Sequence, residues 1–291
     1  MSTAPAGTLN LLRDHLPEYL IEAFCLGVFM VSAGLVTTAF EYPGSLVHRA
    51  IADANVRRAL IGVAMGLTAV MLIYSPWGKR SGAHMNPAVT LSFLRLGRIK
   101  SWDAAAYIIM QFIGGTAGVM LVRALAGAAF TAPPVNWVVT SPGRYGEYAA
   151  FGAEALISAA LMWMVLNSAA SACYARYTGL FAGLLVAAYI TFEAPLSGMS
   201  MNPARSFASA APSMLWGSFW IYLSAPLLGM FVAAECFRRS RGAVPCAKLM
   251  HTPRERCIHC GHVPNAGHES GAAPRGAAPA NKFNNLRSAL S

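Results

Sequence analysis

"SGAHMNPA", residues Ser81 to Ala88, returns as "SGMSMNPA", residues Ser197 to Ala204, with six of eight positions identical at an interval of 116 residues. Both copies are polar and helix-breaking where they begin, and both are flanked by strongly apolar sequence. Each also contains a helix start. Asn is a favoured N-cap, and Pro suits the first helical position because the N–H it lacks would have no partner within the helix. After Asn86-Pro87-Ala88, the run Val89 to Leu94 extends a helix that Gly97 can stop; after Asn202-Pro203-Ala204, the run through Ser206, Phe207 and Ala208 reaches Pro212. About ten residues at about 1.5 Å each give roughly 15 Å, half the thickness of a bilayer's hydrocarbon core. These are half-membrane helices.

The rest of the chain supplies the bilayer. Of 291 residues, 56% are hydrophobic and 12% charged, with a mean hydropathy of +0.47, whereas a soluble domain carries about twice that charge fraction. Runs long enough to cross the hydrocarbon, which takes about 20 helical residues, lie near Tyr19–Phe40, Ala59–Tyr74, Trp102–Leu125, Tyr148–Ala169, Tyr177–Glu193 and Leu215–Phe237. The first is too long for a cleavable signal, contains Glu22 and has no small-residue cleavage site, so it is expected to be retained. With the N-terminus inside, 16 of the 22 Lys and Arg fall on the cytoplasmic side, although Arg49, Arg57 and Arg58 oppose the bias. Both termini are therefore expected in the cytoplasm, with the plasma (inner) membrane as the location. The net charge of +10 needs no nucleic acid, because basic loops beside an anionic leaflet account for it.

The chain divides into an N-terminal segment 1–18, a membrane domain 19–237 and a basic tail 238–291. Within the membrane domain, repeat 1 (about 19–127) and repeat 2 (about 148–237) each hold three spans, with an octapeptide between the second and third. Three is odd, so a second half that repeats the first enters from the opposite face, and the octapeptides approach each other from opposite sides. Each half also opens with a buried-position acid, Glu22 in "IEAFCLGVFM" and Glu154 in "GAEALISAAL". The fold expected is an all-α membrane protein of six transmembrane helices plus two re-entrant half-helices.

The two half-helices then meet N-terminus to N-terminus near the midplane. The segments before them, Gly82-Ala83-His84-Met85 and Gly198-Met199-Ser200-Met201, are expected to be non-helical at membrane depth. Such backbone is tolerated only where protein buries it or a polar cavity is lined by it. Their carbonyls should therefore line a pore, while Asn86 and Asn202 offer amide donors and both helix dipoles point their positive ends at one spot. A cation arriving there is repelled. Met85 and Met201 are read as packing beneath the motif.

These paired motifs resemble the aquaporins and aquaglyceroporins, the major intrinsic proteins, over roughly Tyr19 to Phe237. The resemblance implies a right-handed bundle, a homotetramer with one pore per protomer, and passive conduction of water and small uncharged solutes with exclusion of protons and ions. It implies that Glu22 and Glu154 hold the pore loops by accepting backbone hydrogen bonds, in agreement with the requirement that a buried carboxylate be partnered. It also implies a narrow filter outside the asparagines. Arg205 matches its cationic member, Met199 its loop member, Ile190 its fifth-span member, and Met65 its second-span member, with Gly66 as the alternative. Strict water channels of the family have His where Ile190 stands, and glycerol facilitators have an aromatic pair and Gly, so the permeant stays open between water and glycerol or another small neutral solute. His84 is expected to line the pore near its cytoplasmic end.

Cys25, Cys173 and Cys236 are read as small buried apolar residues. In "CAKLMHTPRERCIHCGH" the residues Cys246, His251, Cys257 and Cys260 form a candidate zinc set, with Cys257 and Cys260 at C-x-x-C spacing, against the alternative of a disordered basic tail with incidental thiols. If metal binds, a structural clip or a cytoplasmic gate is expected. No other cofactor is expected, and no nucleotide loop, catalytic triad or catalytic-water signature points to an enzyme. The alternative function is a secondary transporter, since inverted repeats with broken helices also build those; coupling to ions would require acids facing the pathway.

Overall fold

The computed structural model describes residues 13–241, 243–251 and 255–263. Eight principal helices carry the architecture: α1 (Leu16–Glu41), α2 (Ala54–Tyr74), α3 (Pro87–Arg95), α4 (Ser101–Ala126), α5 (Gly146–Ala169), α6 (Thr178–Phe192), α7 (Pro203–Ser213) and α8 (Phe219–Arg241). Six of them are long and apolar enough to cross a membrane, and α3 and α7 are the two half-length helices. No strand occurs among the described residues.

Helix ends follow local chemistry that hydropathy cannot see. α2 starts five residues before the expected Ala59 because Asp53 caps it, accepting from the Asn55 and Val56 N–H groups at 2.7 and 3.0 Å; the polar Asn55, Arg57 and Arg58 hide that first turn in a search for apolar runs. α8 starts four residues after the expected Leu215, because Met214 turns left-handed (φ 58°) to end α7. α3 stops at Arg95, and Gly97 (φ 70°) then turns the chain away, its N–H bonded to the Leu94 carbonyl at 3.0 Å. Pro212 falls inside the last turn of α7 rather than ending it.

The packing repeats with the sequence. α1 packs on α4 in the first half and α5 on α8 in the second, while α2 and α6, the middle span of each half, pair across the boundary. Each half-length helix packs more extensively on the closing helix of the other half than on that of its own, α7 on α4 and α3 on α8. The halves are thus interlocked. Small residues four apart let these backbones touch, since lipid supplies little hydrophobic drive between helices and close packing must do so. On the α2–α6 seam a Cβ on Gly66 would lie 2.5 Å from the Gly183 carbonyl oxygen, and one on Gly183 would lie 2.6 Å from that of Gly66. Gly114 and Gly118 of α4 are pressed in the same way against Ala23 and Gly27 of α1.

Large apolar side chains such as Leu20, Phe24, Ile109, Ile113, Leu184 and Leu228 point outward and are exposed, which suits a lipid-facing surface. Cys25 is buried as expected, but Cys173 and Cys236 are exposed, a correction: Cys173 lies in the polar turn between α5 and α6, and Cys236 is on the outer face of α8. The tail also departs from expectation. Residues 243–251 and 255–263 lie against the membrane domain, with Ala247 fully buried and Lys248 and Cys257 nearly so. Residues 264–291 of the expected disordered tail, and 1–12 of the N-terminal segment, lie outside the described residues.

Candidate functional site

The two octapeptide loops fold as near copies. Gly82 and Gly198 cap the preceding short helices with φ of 102° and 85°, and Ala83, Met85, Met199 and Met201 are all left-handed at φ between 49° and 54°. Left-handed backbone at a residue with a side chain costs of order 1–3 kcal/mol and persists only where the surroundings impose it.

Two carboxylates impose it. Glu22 accepts from the His84 and Met85 N–H groups (3.0 and 2.7 Å), the Ser81 hydroxyl (2.7 Å) and the Gln111 amide (2.8 Å). Glu154 accepts from the Ser200 and Met201 N–H groups (2.6 and 2.7 Å) and the Ser197 hydroxyl (2.9 Å). Both oxygens of each carboxylate accept from backbone N–H groups, so each side chain bridges two consecutive residues of its loop. Two tyrosines complete the brackets: Tyr107 donates to the Ser81 carbonyl (2.8 Å) and Tyr222 to that of Ser197 (2.6 Å). Sequence reasoning missed Tyr107, Tyr222 and Gln111. The tyrosines were findable, since they lie 115 residues apart on the closing helix of each half, nearly the interval of the octapeptides.

The asparagines link the loops. Asn86 caps α3, its side-chain oxygen accepting from Ala88 N–H (2.8 Å), and its amide donates across to the Met201 carbonyl (2.7 Å). Asn202 caps α7, accepting from Ala204 and Arg205 N–H (3.0 and 3.2 Å), and donates to the Met85 carbonyl (2.6 Å). Each amide nitrogen keeps one further hydrogen. The carbonyls of Met85 and Met201 are therefore structural ties, and their side chains pack in the two core clusters.

Beside this junction runs one cavity of about 610 Å³. Both asparagines line it, as do Gly82, Ala83, His84, Gly198, Met199 and Ser200; Pro87, Ala88, Pro203 and Ala204 lie behind it in the first turns of α3 and α7. At one end it reaches Thr37, Glu41 and Arg58, and at the other Ile73, His84, Ala247 and Leu249. Met65, Ile190, Met199 and Arg205 all border it. Gly66 faces the Gly183 backbone instead, and so gives the cavity no wall. The Arg205 guanidinium donates to the Thr140 hydroxyl, which holds the cation against the loop between α4 and α5; that loop also contributes Pro134, Val135, Val138 and Val139 to the cavity wall. The other three expected filter residues, Met65, Ile190 and Met199, have apolar side chains.

His84 lines the other end. Its Nε2 lies 3.0 Å from the Ala247 carbonyl, which can only accept, so this nitrogen carries a proton; Nδ1 lies 3.1 Å from Thr90 Oγ1. The ring stacks on Phe93 (centroids 5.2 Å apart) and faces His259 (6.4 Å). Burial, with His84 alongside, pushes His259 down to about 3, so its ring is neutral at pH 7. Nearby, the ligand atoms of Cys246, His251, Cys257 and Cys260 all lie within 4.8 Å of one another. The tail cysteines are thus brought together, whereas His84 is not among them.

Residues 9–237 match the family described as Major intrinsic protein. Among relatives, an aquaporin NIP1-2 of Oryza sativa subsp. japonica is 31% identical over 227 residues, covering 76% of this chain and 71% of that protein. A glycerol uptake facilitator protein-like 6 of Lactiplantibacillus plantarum is 34% identical over 181 residues, covering 61% of this chain and 83% of that protein. In fold, the chain is similar to the X-ray structure of the aquaglyceroporin from Plasmodium falciparum, with a TM-score of 0.66 at 20% identity over 79% of this chain and 97% of that one.

Proposed function

The chain belongs to the major intrinsic protein family, and we propose that the cavity between its two octapeptide loops is the passage for water and small neutral solutes such as glycerol. It is an integral, multi-pass membrane protein and a passive channel, not an enzyme. One observation supports this use of the cavity above the others: Asn86 and Asn202 donate to each other's loop at 2.7 and 2.6 Å and line one continuous space. A water there meets amide donors and two helix N-termini, and so presents its oxygen to them. The positive ends of α3 and α7 raise the energy of any cation, hydronium included.

Met65, Ile190, Met199 and Arg205 act as the filter. Arg205 repels cations and donates to a passing hydroxyl or water, while Met65, Ile190 and Met199 offer no hydrogen bond and accept the C–H edge of a polyol. Glu22 and Glu154 keep the loop carbonyls aimed inward. Four protomers assemble, each with its own pore, and both termini face the cytoplasm, so the Arg205 end of the cavity is external and the His84 end cytoplasmic. Conduction needs no cofactor.

Stopped-flow swelling of proteoliposomes in water, glycerol, urea and ammonia gradients tests the passage. Swelling driven by the osmotic gradient alone is the expected result; uptake that follows a proton or sodium gradient would establish the secondary transporter instead. Mass measured in detergent by light scattering tests the tetramer.

A further inference from the structure

The tail segment against the His84 end of the cavity is built like a stopper with a clasp. Ala247 is fully buried, Lys248 is 5% exposed, and Ala247 and Leu249 form part of the cavity wall itself. Leu249 packs against two core clusters, each of which draws residues from both halves of the bundle. The Ala247 carbonyl accepts from His84 within the pore loop, at 3.0 Å. Charge holds the same segment: Lys248 lies 3.9 Å from the buried Glu18, and Arg80 joins Glu18 (3.3 Å) to Glu255 (3.1 Å) of the tail's second stretch.

The clasp is the cysteine and histidine cluster. Cys246 immediately precedes the three stopper residues and His251 follows two residues after them, while Cys257 and Cys260 come from the second stretch. Zinc bound at about 2.3 Å to thiolates in a tetrahedron needs sulfurs roughly 3.8 Å apart. Cys246 and Cys257 are 3.7 Å apart, and His251 Nε2 is 3.1 Å from the Cys260 sulfur. Three thiols and one imidazole form a complete structural zinc set with no position left for catalytic water. The stretches 243–251 and 255–263 have no helix or strand of their own, so crosslinking by the ion is what would fix their shape. His251 and Cys260 are exposed, which leaves the ion within reach of solvent.

We propose that Cys246, His251, Cys257 and Cys260 bind one zinc ion, and that the ion clamps Ala247, Lys248 and Leu249 into the cytoplasmic mouth of the pore as a removable stopper, so that loss of zinc opens the channel. The gate rests on the channel function proposed above. With the ion gone, both ends of the stopper are released from the second stretch, and the Lys248 and Arg80 pairs, one hydrogen bond and the packing of Ala247 and Leu249 are left to retain it.

The test uses the full chain in proteoliposomes with reducing agent present. Zinc is measured per chain by elemental analysis, and osmotic water permeability is measured by stopped flow with and without a zinc chelator on both sides. Wild type, Cys260→Ser and Lys248→Glu are compared. Cys260 is exposed, so its substitution spares the core, and Lys248→Glu sets like charge against Glu18 while leaving all four ligands intact. The expected results are one zinc per wild-type chain and a rise in permeability on chelation, within the roughly 5- to 150-fold range usual for coupled sites. Cys260→Ser should be open without chelator, and Lys248→Glu open with its zinc still bound. Wild type free of zinc overturns the site. Zinc present with equal permeability in all forms, above that of protein-free liposomes, overturns the gate alone. Permeability at the protein-free level in every form overturns the channel function and the gate with it.

Discussion

Replacing Glu22 by Ala removes the acceptor that four donors share. The Ser81 hydroxyl can rotate, and the Gln111 amide keeps a second partner in Thr90 at 3.2 Å. The His84 and Met85 N–H groups have neither freedom: they belong to backbone that the loop fixes, with Ala83 and Met85 left-handed on either side of His84, and both residues are buried. Each buried donor left unpaired costs about 1–3 kcal/mol, so the two together cost roughly 2–6 kcal/mol. At about 2–4 °C per kcal/mol for a domain of this size, the melting temperature in detergent should fall by roughly 4–24 °C. The loop that carries Asn86 should also lose its shape, and water permeability should fall with it. Glu22→Gln should lie between, because its one carboxamide oxygen can serve two of the four donors while its NH₂ confronts the rest. Glu154→Ala deletes the same kind of bracket, with two backbone donors, and should obey the same lower bound. A Glu22→Ala protein that melts within about 1 °C of wild type and conducts water normally would refute the claim that these carboxylates hold the loops.

Gly66→Val should wedge the α2–α6 seam, since even a Cβ would lie 2.5 Å from the Gly183 carbonyl oxygen; overpacking of about 1–3 kcal/mol or more should appear as a lowered melting temperature. Tyr107→Phe and Tyr222→Phe each remove one hydrogen bond to a loop carbonyl, and each should cost about 1 kcal/mol in thermal unfolding while leaving the fold intact. Arg205→Ala should admit protons or small cations, detected by a pH-sensitive dye inside liposomes under a proton gradient; unchanged exclusion would remove the filter role from Arg205. Glu193, just beyond α6, is pushed up from 4.5 to about 7, chiefly by burial, with the Ser197 hydroxyl pulling the other way and the nearby Glu154 charge adding to the rise. A carboxyl group that is harder to ionise in the fold contributes stability that is complete below pH 4.5 and is lost as pH rises through about 7. Glu193→Gln should therefore flatten the dependence of melting temperature on pH across that window.

The membrane character, the six spans, the inverted repeat and the two capped half-helices were legible in the linear sequence because each rests on short-range physics. An apolar run of sufficient length, an Asn-Pro helix start and a motif repeated an odd number of spans apart need no knowledge of which residues meet. The boundaries of α2 and α8 were less legible, because a capping Asp and a left-handed Met act through backbone geometry and leave no mark in hydropathy. What tertiary structure alone decided is partner choice. It set Met65 against the cavity and Gly66 against Gly183, assigned Thr140 to the Arg205 guanidinium, and turned Tyr107 and Tyr222 onto the loop carbonyls. It also laid Ala247 on His84, 163 residues away along the chain, where composition read only a basic tail. Such contacts depend on side-chain direction and on distances closed by the whole bundle, and a composition or a periodicity contains neither.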